Sequence, residues 1–126
     1  MKQLDNNLNE LIDIVFEANK KIGWWSKEDL ELEGKWKIIL VASKLALVHS
    51  EISEALEGVR KNLKDDHLPH RPMVEVEFAD VIIRLLSLSG YLGLDVGGAV
   101  KEKFAYNQKR QDHKLENRAA EGGKVI

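Results

Sequence analysis

The sequence predicts an all-α domain, four-helix-bundle-like and assembled as a dimer or tetramer. Three observations predict it. Apolar residues recur near a 3.6-residue period over four long stretches. The breaks between them hold helix punctuation: Gly23, Gly34, Pro69, Pro72 and Gly93. Two of the four stretches are apolar around most of their girth, more than a chain of 126 residues readily covers by itself. That excess points to a homo-oligomer, most simply a two-fold dimer.

The first helix runs from about Leu4 to Ile22, with Leu8, Leu11, Ile12, Val15, Phe16 and Ala18 in phase. Asp5 or Asn6 is placed to cap it, and Gly23 ends it. Trp24, Trp25 and Ser26 lead into an acidic stretch, Glu28 to Glu33, with room for a turn of helix before Gly34. A long helix follows, from about Lys35 to Asn62. Its main apolar stripe is Ile38, Val41, Ala42, Leu45, Val48, Ile52, Leu56, Val59 and Leu63, widened by Leu40 and Leu47. Such a helix is expected at the centre, with neighbours on several sides. Lys64 to Pro72 carries two prolines, two histidines and two aspartates and reads as a connection.

The third helix, about Met73 to Leu92, is apolar almost throughout. Its Val and Ile would suit a strand; its length favours a helix. The fourth covers about Val96 to Gln111. Residues 1–113 are expected to form the single domain. Residues 114–126 lose periodicity and read as a tail, mobile or docked on a neighbour.

Composition narrows the function classes. Nineteen basic and 21 acidic residues give a net charge of -2, with no overall pull toward nucleic acid. With no cysteine, disulfides, zinc–thiolate sites and cysteine nucleophiles are excluded. The segment MKQLDNNLNE lacks the apolar core of a signal peptide, and no apolar run is long enough to span a membrane. A cytoplasmic location is the expectation.

Two acid pairs stand out, Glu51 with Glu54 and Glu77 with Asp80. Each is spaced i, i+3, which places both side chains on one helix face. They interrupt largely apolar faces, where acids cost most. If the two helices face each other, four carboxylates converge and need protons, basic side chains or a cation. An all-carboxylate site without His or Cys suits Mg²⁺ or Mn²⁺. The bland alternative is four solvated acids on two amphipathic helices. Other motifs fail. Gly93 to Ala99 lacks the Lys-Ser or Lys-Thr of a phosphate loop and reads as a helix boundary. No EF-hand loop occurs, and no His has a Glu three residues before it, as a di-iron bundle requires.

The pattern Glu51-Ile-Ser-Glu54, then 22 residues, then Glu77-Phe-Ala-Asp80 resembles the ExxE–ExxD signature of MazG-like, all-α nucleoside triphosphate pyrophosphatases. Lys103-Phe-Ala-Tyr-Asn107-Gln-Lys-Arg110 is similar to the Lys…Tyr-Asn…Arg segment that follows in that family. The resemblance covers roughly Ala42 to His113. It implies helical bundles forming dimers or tetramers, and Mg²⁺- or Mn²⁺-dependent hydrolysis of a (d)NTP to (d)NMP and pyrophosphate. It assigns Glu51, Glu54, Glu77 and Asp80 to metal, and Lys103, Asn107 and Arg110 to phosphate. Glu51 or Glu54 would orient the attacking water. The role implied is control or sanitation of a nucleotide pool. The base is left open.

Other residues carry weaker expectations. Trp24 and Trp25 have faces that suit a nucleobase, with core packing expected for at least one of them. His49 reads as an interior histidine, or one that meets a base across a dimer interface. His67, His70 and Arg71 form either a solvated loop or a lid. Arg84, one turn after Asp80, is expected to pair with Asp80 or Glu77, or to touch phosphate. The competing reading is a catalytically silent helical adaptor that keeps its acids as surface charges. A nucleic-acid-binding bundle lacks the concentrated basic face it would need.

Overall fold

The computed structural model describes residues 4–110 and 115–125. Among the described residues there are six helices and no strand: α1 (Leu4–Lys21), α2 (Lys27–Glu31), α3 (Gly34–Lys61), α4 (Met73–Leu92), α5 (Val96–Lys109) and α6 (Leu115–Arg118). No single helix among them is long and apolar enough to cross a membrane. The chain divides into two compact units. One holds the start of α1, through Glu10, with α5 and α6; the other runs from Leu11 to Leu94. The boundary drawn between residues 113 and 114, and Gln111 at the end of the fourth expected helix, lie outside the described residues.

In the Leu11–Leu94 unit three helices stop the same way. Trp24 donates its backbone N–H to Asn19 and Gly23 donates to Lys20; Leu63 donates to Gly58 and Asn62 to Val59; Leu94 donates to Ser89 and Gly93 to Gly90. These are Schellman closures, each turning on a left-handed residue: Gly23, Asn62 or Gly93. The helix breaks read from the sequence are therefore hydrogen-bonded stops. α2 starts with a capping box: Ser26 Oγ accepts from the Asp29 N–H, and Asp29 Oδ2 accepts from the Ser26 N–H.

The dominant packing is α3 against α4. α3 contributes Val48, Ala55 and Gly58 as buried residues, and α4 contributes Glu77 and residues 86–89. α1 joins through Ile12 and through Phe16, whose side chain lies directly over Gly90. A Cβ at position 90 would overlap the Phe16 ring, so this crossing requires glycine. Trp25 is buried, stacked on Tyr91 at 4.3 Å between ring centres. Its indole N–H donates to Ser87 Oγ at 2.8 Å, and Asn19 Nδ2 donates to the same oxygen at 3.1 Å.

Two expectations need correction. Among the described residues α3 is not surrounded by neighbours: Ile38, Leu45, Ile52, Leu56 and Val59, most of its expected apolar stripe, are exposed. Its buried residues are Val48, Ala55 and Gly58. Asp5 does not precede α1 but lies within its first turn.

The connection from α3 to α4 is ordered. The buried Asp65 carboxylate accepts the backbone N–H groups of His67 and Leu68 at 2.9 and 2.8 Å. The Asp65 N–H donates to Arg71 O, and the Met73 N–H donates to Leu63 O. In the other unit, Asp95 caps α5 by accepting the Gly98 N–H at 2.8 Å. Asn9 Nδ2 donates to Asp95, while its Oδ1 accepts the Gly97 N–H. Gly93 to Ala99 is thus a helix boundary, as the sequence suggests.

Candidate metal centre

α3 and α4 bring three of the four acids together. Carboxylate oxygens of Glu51, Glu77 and Asp80 all lie within 4.8 Å of one another. Glu54 falls outside that group and is exposed. Glu54 instead lines, with Glu77, a cavity of about 320 Å³ that the loop residues Asp65, Asp66 and His67 close on one side.

Three unit charges this close would repel by about 3 kcal/mol per pair at an effective dielectric of 20. The structure offsets this in two ways. Arg84 donates from Nε, and places Nη2, at 3.0 Å from Glu51 Oε1. The expected partner was Asp80 or Glu77; the guanidinium crosses to the opposite helix, where it neutralises the acid that α4 cannot reach from its own backbone. The second device is protonation. Burial, ahead of a hydrogen bond shared with Glu51 and the charges of Glu54, Glu51 and Asp80, pushes Glu77 up to about 8. The same hydrogen bond, with help from Arg84, holds Glu51 below its ordinary range against the effect of burial. Burial also raises Asp80, reinforced by the charges of Glu51 and Asp65 and opposed by Arg84.

Glu77 is only 6% exposed, and its Oε2 is buried without a hydrogen-bond partner. A lone buried carboxylate oxygen is costly unless something approaches it. The donor set is all carboxylate oxygen, from two rigid helices, which is the chemistry of a hard divalent cation. The residues present fit Mg²⁺ or Mn²⁺.

Around this centre the other expected residues separate. Trp24, Trp25, Lys44, Arg84, Ser87 and Leu88 line a cavity of about 20 Å³. That is room for about one water, so no base stacks there in this form. Trp24 is exposed; Trp25 is committed to Tyr91, Ser87 and the ammonium of Lys44, 4.8 Å from its ring centre. His49 is exposed, not interior. His70 is exposed, and Arg71 pairs with Glu75. Lys103, Asn107 and Arg110 lie on or just after α5, in the other unit. There Lys103 Nζ sits 4.6 Å and the Arg110 guanidinium 5.9 Å from the Tyr106 ring centre. Asn107 Oδ1 is buried without a hydrogen-bond partner.

Sequence reasoning passed over Asp65 and Ser87. Asp65 had a faint signal, an aspartate two and three residues before the amides it accepts. Ser87 had none, because a serine within an apolar helix does not show which side chains will reach it.

Comparison of the chain with protein-family models, with curated proteins and with solved structures returned no match.

Proposed function

We propose that this protein is a metal-dependent nucleoside triphosphate pyrophosphohydrolase, converting a (d)NTP to (d)NMP and pyrophosphate. The observation that carries the reading is the convergence of Glu51, Glu77 and Asp80 around a buried carboxylate oxygen that has no partner. The resemblance of both acid pairs, in order and at the family's gap, supplies the reaction class. Glu51, Glu77 and Asp80 would hold Mg²⁺ or Mn²⁺. A bound divalent cation supplies neutralisation of phosphate charge and polarisation of a phosphate oxygen.

The chain's own residues do the rest. Arg84 holds Glu51 in place across the helix gap. Glu54, exposed and not tied to Arg84, is the carboxylate left to orient the attacking water. Phosphoryl chemistry of this kind is mainly positioning and charge stabilisation, so no covalent nucleophile is required. Lys103, Asn107 and Arg110 remain assigned to phosphate by the resemblance; the acid centre itself stands on α3 and α4 alone. Trp24 is the aromatic face open to a base. Assembly as a homodimer or homotetramer belongs to the same reading, supported by the exposed apolar side chains of α3.

An end-point assay tests the reaction. Each (d)NTP is incubated with protein and Mg²⁺ or Mn²⁺, and nucleotide and phosphate products are resolved separately. Monophosphate with pyrophosphate is expected, lost with chelator and in Glu54→Ala. Orthophosphate alone would mean stepwise phosphatase action instead. The second reading, a silent helical adaptor, is favoured by the exposed apolar face of α3. No turnover on any nucleotide, with no metal-dependent rise in Tm, would leave that reading standing.

A further inference from the structure

Arg84 takes part in two sites. Its Nε and Nη2 are spent on Glu51 Oε1, and no partner for its Nη1 is found among the described residues. The same side chain lines, with Lys44, Ser87, Leu88, Trp24 and Trp25, the cavity of about 20 Å³. Lys44 comes to this cavity from α3 and is half-buried. It makes no ion pair among the described residues, and its ammonium rests 4.8 Å from the Trp25 ring centre. Ser87 is 3% exposed, and its Oγ already accepts two N–H groups, from Trp25 at 2.8 Å and from Asn19 at 3.1 Å. A hydroxyl oxygen has two lone pairs, so both are taken and the O–H is left to donate. Ser89 gives its proton to the Leu85 carbonyl; no acceptor for the Ser87 proton is found among the described residues.

We infer that this cavity is a binding site for one small monatomic anion, chloride being the common case. Size sets the first limit: room for about one water-sized particle leaves out phosphate, sulfate and carboxylate ligands. Charge sets the second. A cation would meet two positive side chains and no acid on the lining. A water would have two protons to place, and the lining side chains offer no free acceptor. Ammonium, guanidinium and indole N–H only donate, and the lone pairs of Ser87 are filled. An anion without protons suits a wall made of donors and apolar surface. It accepts from Lys44, Arg84 and Ser87 together. Glu51 balances one of the two positive charges here, and a monovalent anion balances the other. Half-buried charge and a buried hydroxyl are both costly when left without a partner, and one ion relieves both. The exposed Trp24 leaves a way in from solvent.

The site uses none of the clustered acids as a ligand and is independent of the proposed reaction. The full chain, with chelator present, is titrated with chloride against gluconate at constant ionic strength; gluconate is too large for the cavity. Tm is expected to rise by about 5 °C in chloride, the shift for a site filled to about ten times its Kd. The chloride NMR line is expected to broaden with added protein, saturably, and bromide is expected to reverse the broadening by competition. Lys44→Met keeps the length of the side chain over Trp25 and removes its charge. It is expected to weaken binding about ten-fold or more, the worth of one charge-assisted hydrogen bond, with helical circular dichroism retained. Lys44→Arg is expected to keep the site, and Lys35→Met, at an exposed lysine elsewhere on α3, to leave it unchanged. Equal Tm in chloride and gluconate, with no broadening by the wild-type protein, overturns the inference. So does broadening that Lys44→Met leaves at full strength, because the ion then sits elsewhere. Broadening lost equally in Lys35→Met means general attraction to surface charge and overturns it too. The wild-type titration decides the first of these without any variant.

Discussion

Arg84 reaches from α4 to Glu51 on α3 and brings two guanidinium nitrogens to 3.0 Å from one carboxylate oxygen. Glu51 is thereby the anchored member of the acid group, and Glu77, beside it, is the one left holding a proton. The two helices are joined here by charge as well as by apolar packing.

Removing the anchor exposes the repulsion. Arg84→Gln is expected to destabilise the metal-free protein by about 1–3 kcal/mol, the usual cost of unpairing a partly buried charged group. Saturating Mg²⁺ is expected to restore part of the loss, because the cation replaces the missing positive charge. Urea denaturation with chelator and with Mg²⁺ measures both terms.

Glu77 sets a pH signature. Its folded value of about 8 lies above the ordinary 4.5. Between these limits the folded protein holds a proton that the unfolded chain has lost. Stability from this group is therefore full below the ordinary value and is lost as pH rises toward the folded one. Glu51 works the other way, since its value is lowered: its contribution is present at higher pH and is lost as pH falls through the folded value. Metal-free Tm is expected to decline as pH rises through the upper window. Glu77→Gln should flatten that decline and exceed the wild type at its upper end. A Tm profile indifferent to Glu77→Gln would contradict the assignment.

The two tryptophans should separate in mutagenesis. Trp25→Ala removes a buried ring stacked on Tyr91 and is expected to cost about 3–5 kcal/mol. Trp25→Phe keeps a ring but loses the donor to Ser87, for about 1–2 kcal/mol. Trp24→Ala, at an exposed site, should change stability by less than about 0.5 kcal/mol, while weakening nucleotide binding if its face serves a base. Chemical denaturation and a KM-against-kcat comparison distinguish the roles.

Asp65 holds the loop beside the acid centre. Asp65→Ala strands two backbone N–H groups and is expected to cost about 1–2 kcal/mol; Asp65→Asn, which still presents an oxygen, should recover much of it. Hydrogen exchange at the His67 and Leu68 amides reads the loop directly.

The long helices were legible because period and punctuation agreed. Gly23 and Gly93 marked stops that the hydrogen bonds bear out, and the expected ends near Ile22 and Asn62 fall one residue beyond α1 and α3. The acid group was legible in part: the i, i+3 spacing put each acid pair on one face, but could not show that Glu54 falls outside the group that Glu51, Glu77 and Asp80 form. Arg84 was expected on Asp80 or Glu77, or on phosphate, because these acids share its helix, whereas a long side chain is free to cross to Glu51 on another helix. The apolar stripe of α3 was visible, yet periodicity records only that a face is apolar, not what covers it. The Asn19–Ser87–Trp25 junction joins the end of α1 and the turn after it to a serine far along the chain on α4, and left no local pattern.

The stacked Trp25–Tyr91 pair gives the molecule an optical gauge. Trp24 and Trp36 stand in solvent and emit there, open to quenchers, whereas Trp25 is shielded. Trp25 and Arg84 line the same small cavity. Any event that draws the guanidinium toward or away from Glu51 therefore alters the field at the two indoles that line this cavity, and the quencher-resistant emission of Trp25 is expected to follow the acid centre without a label.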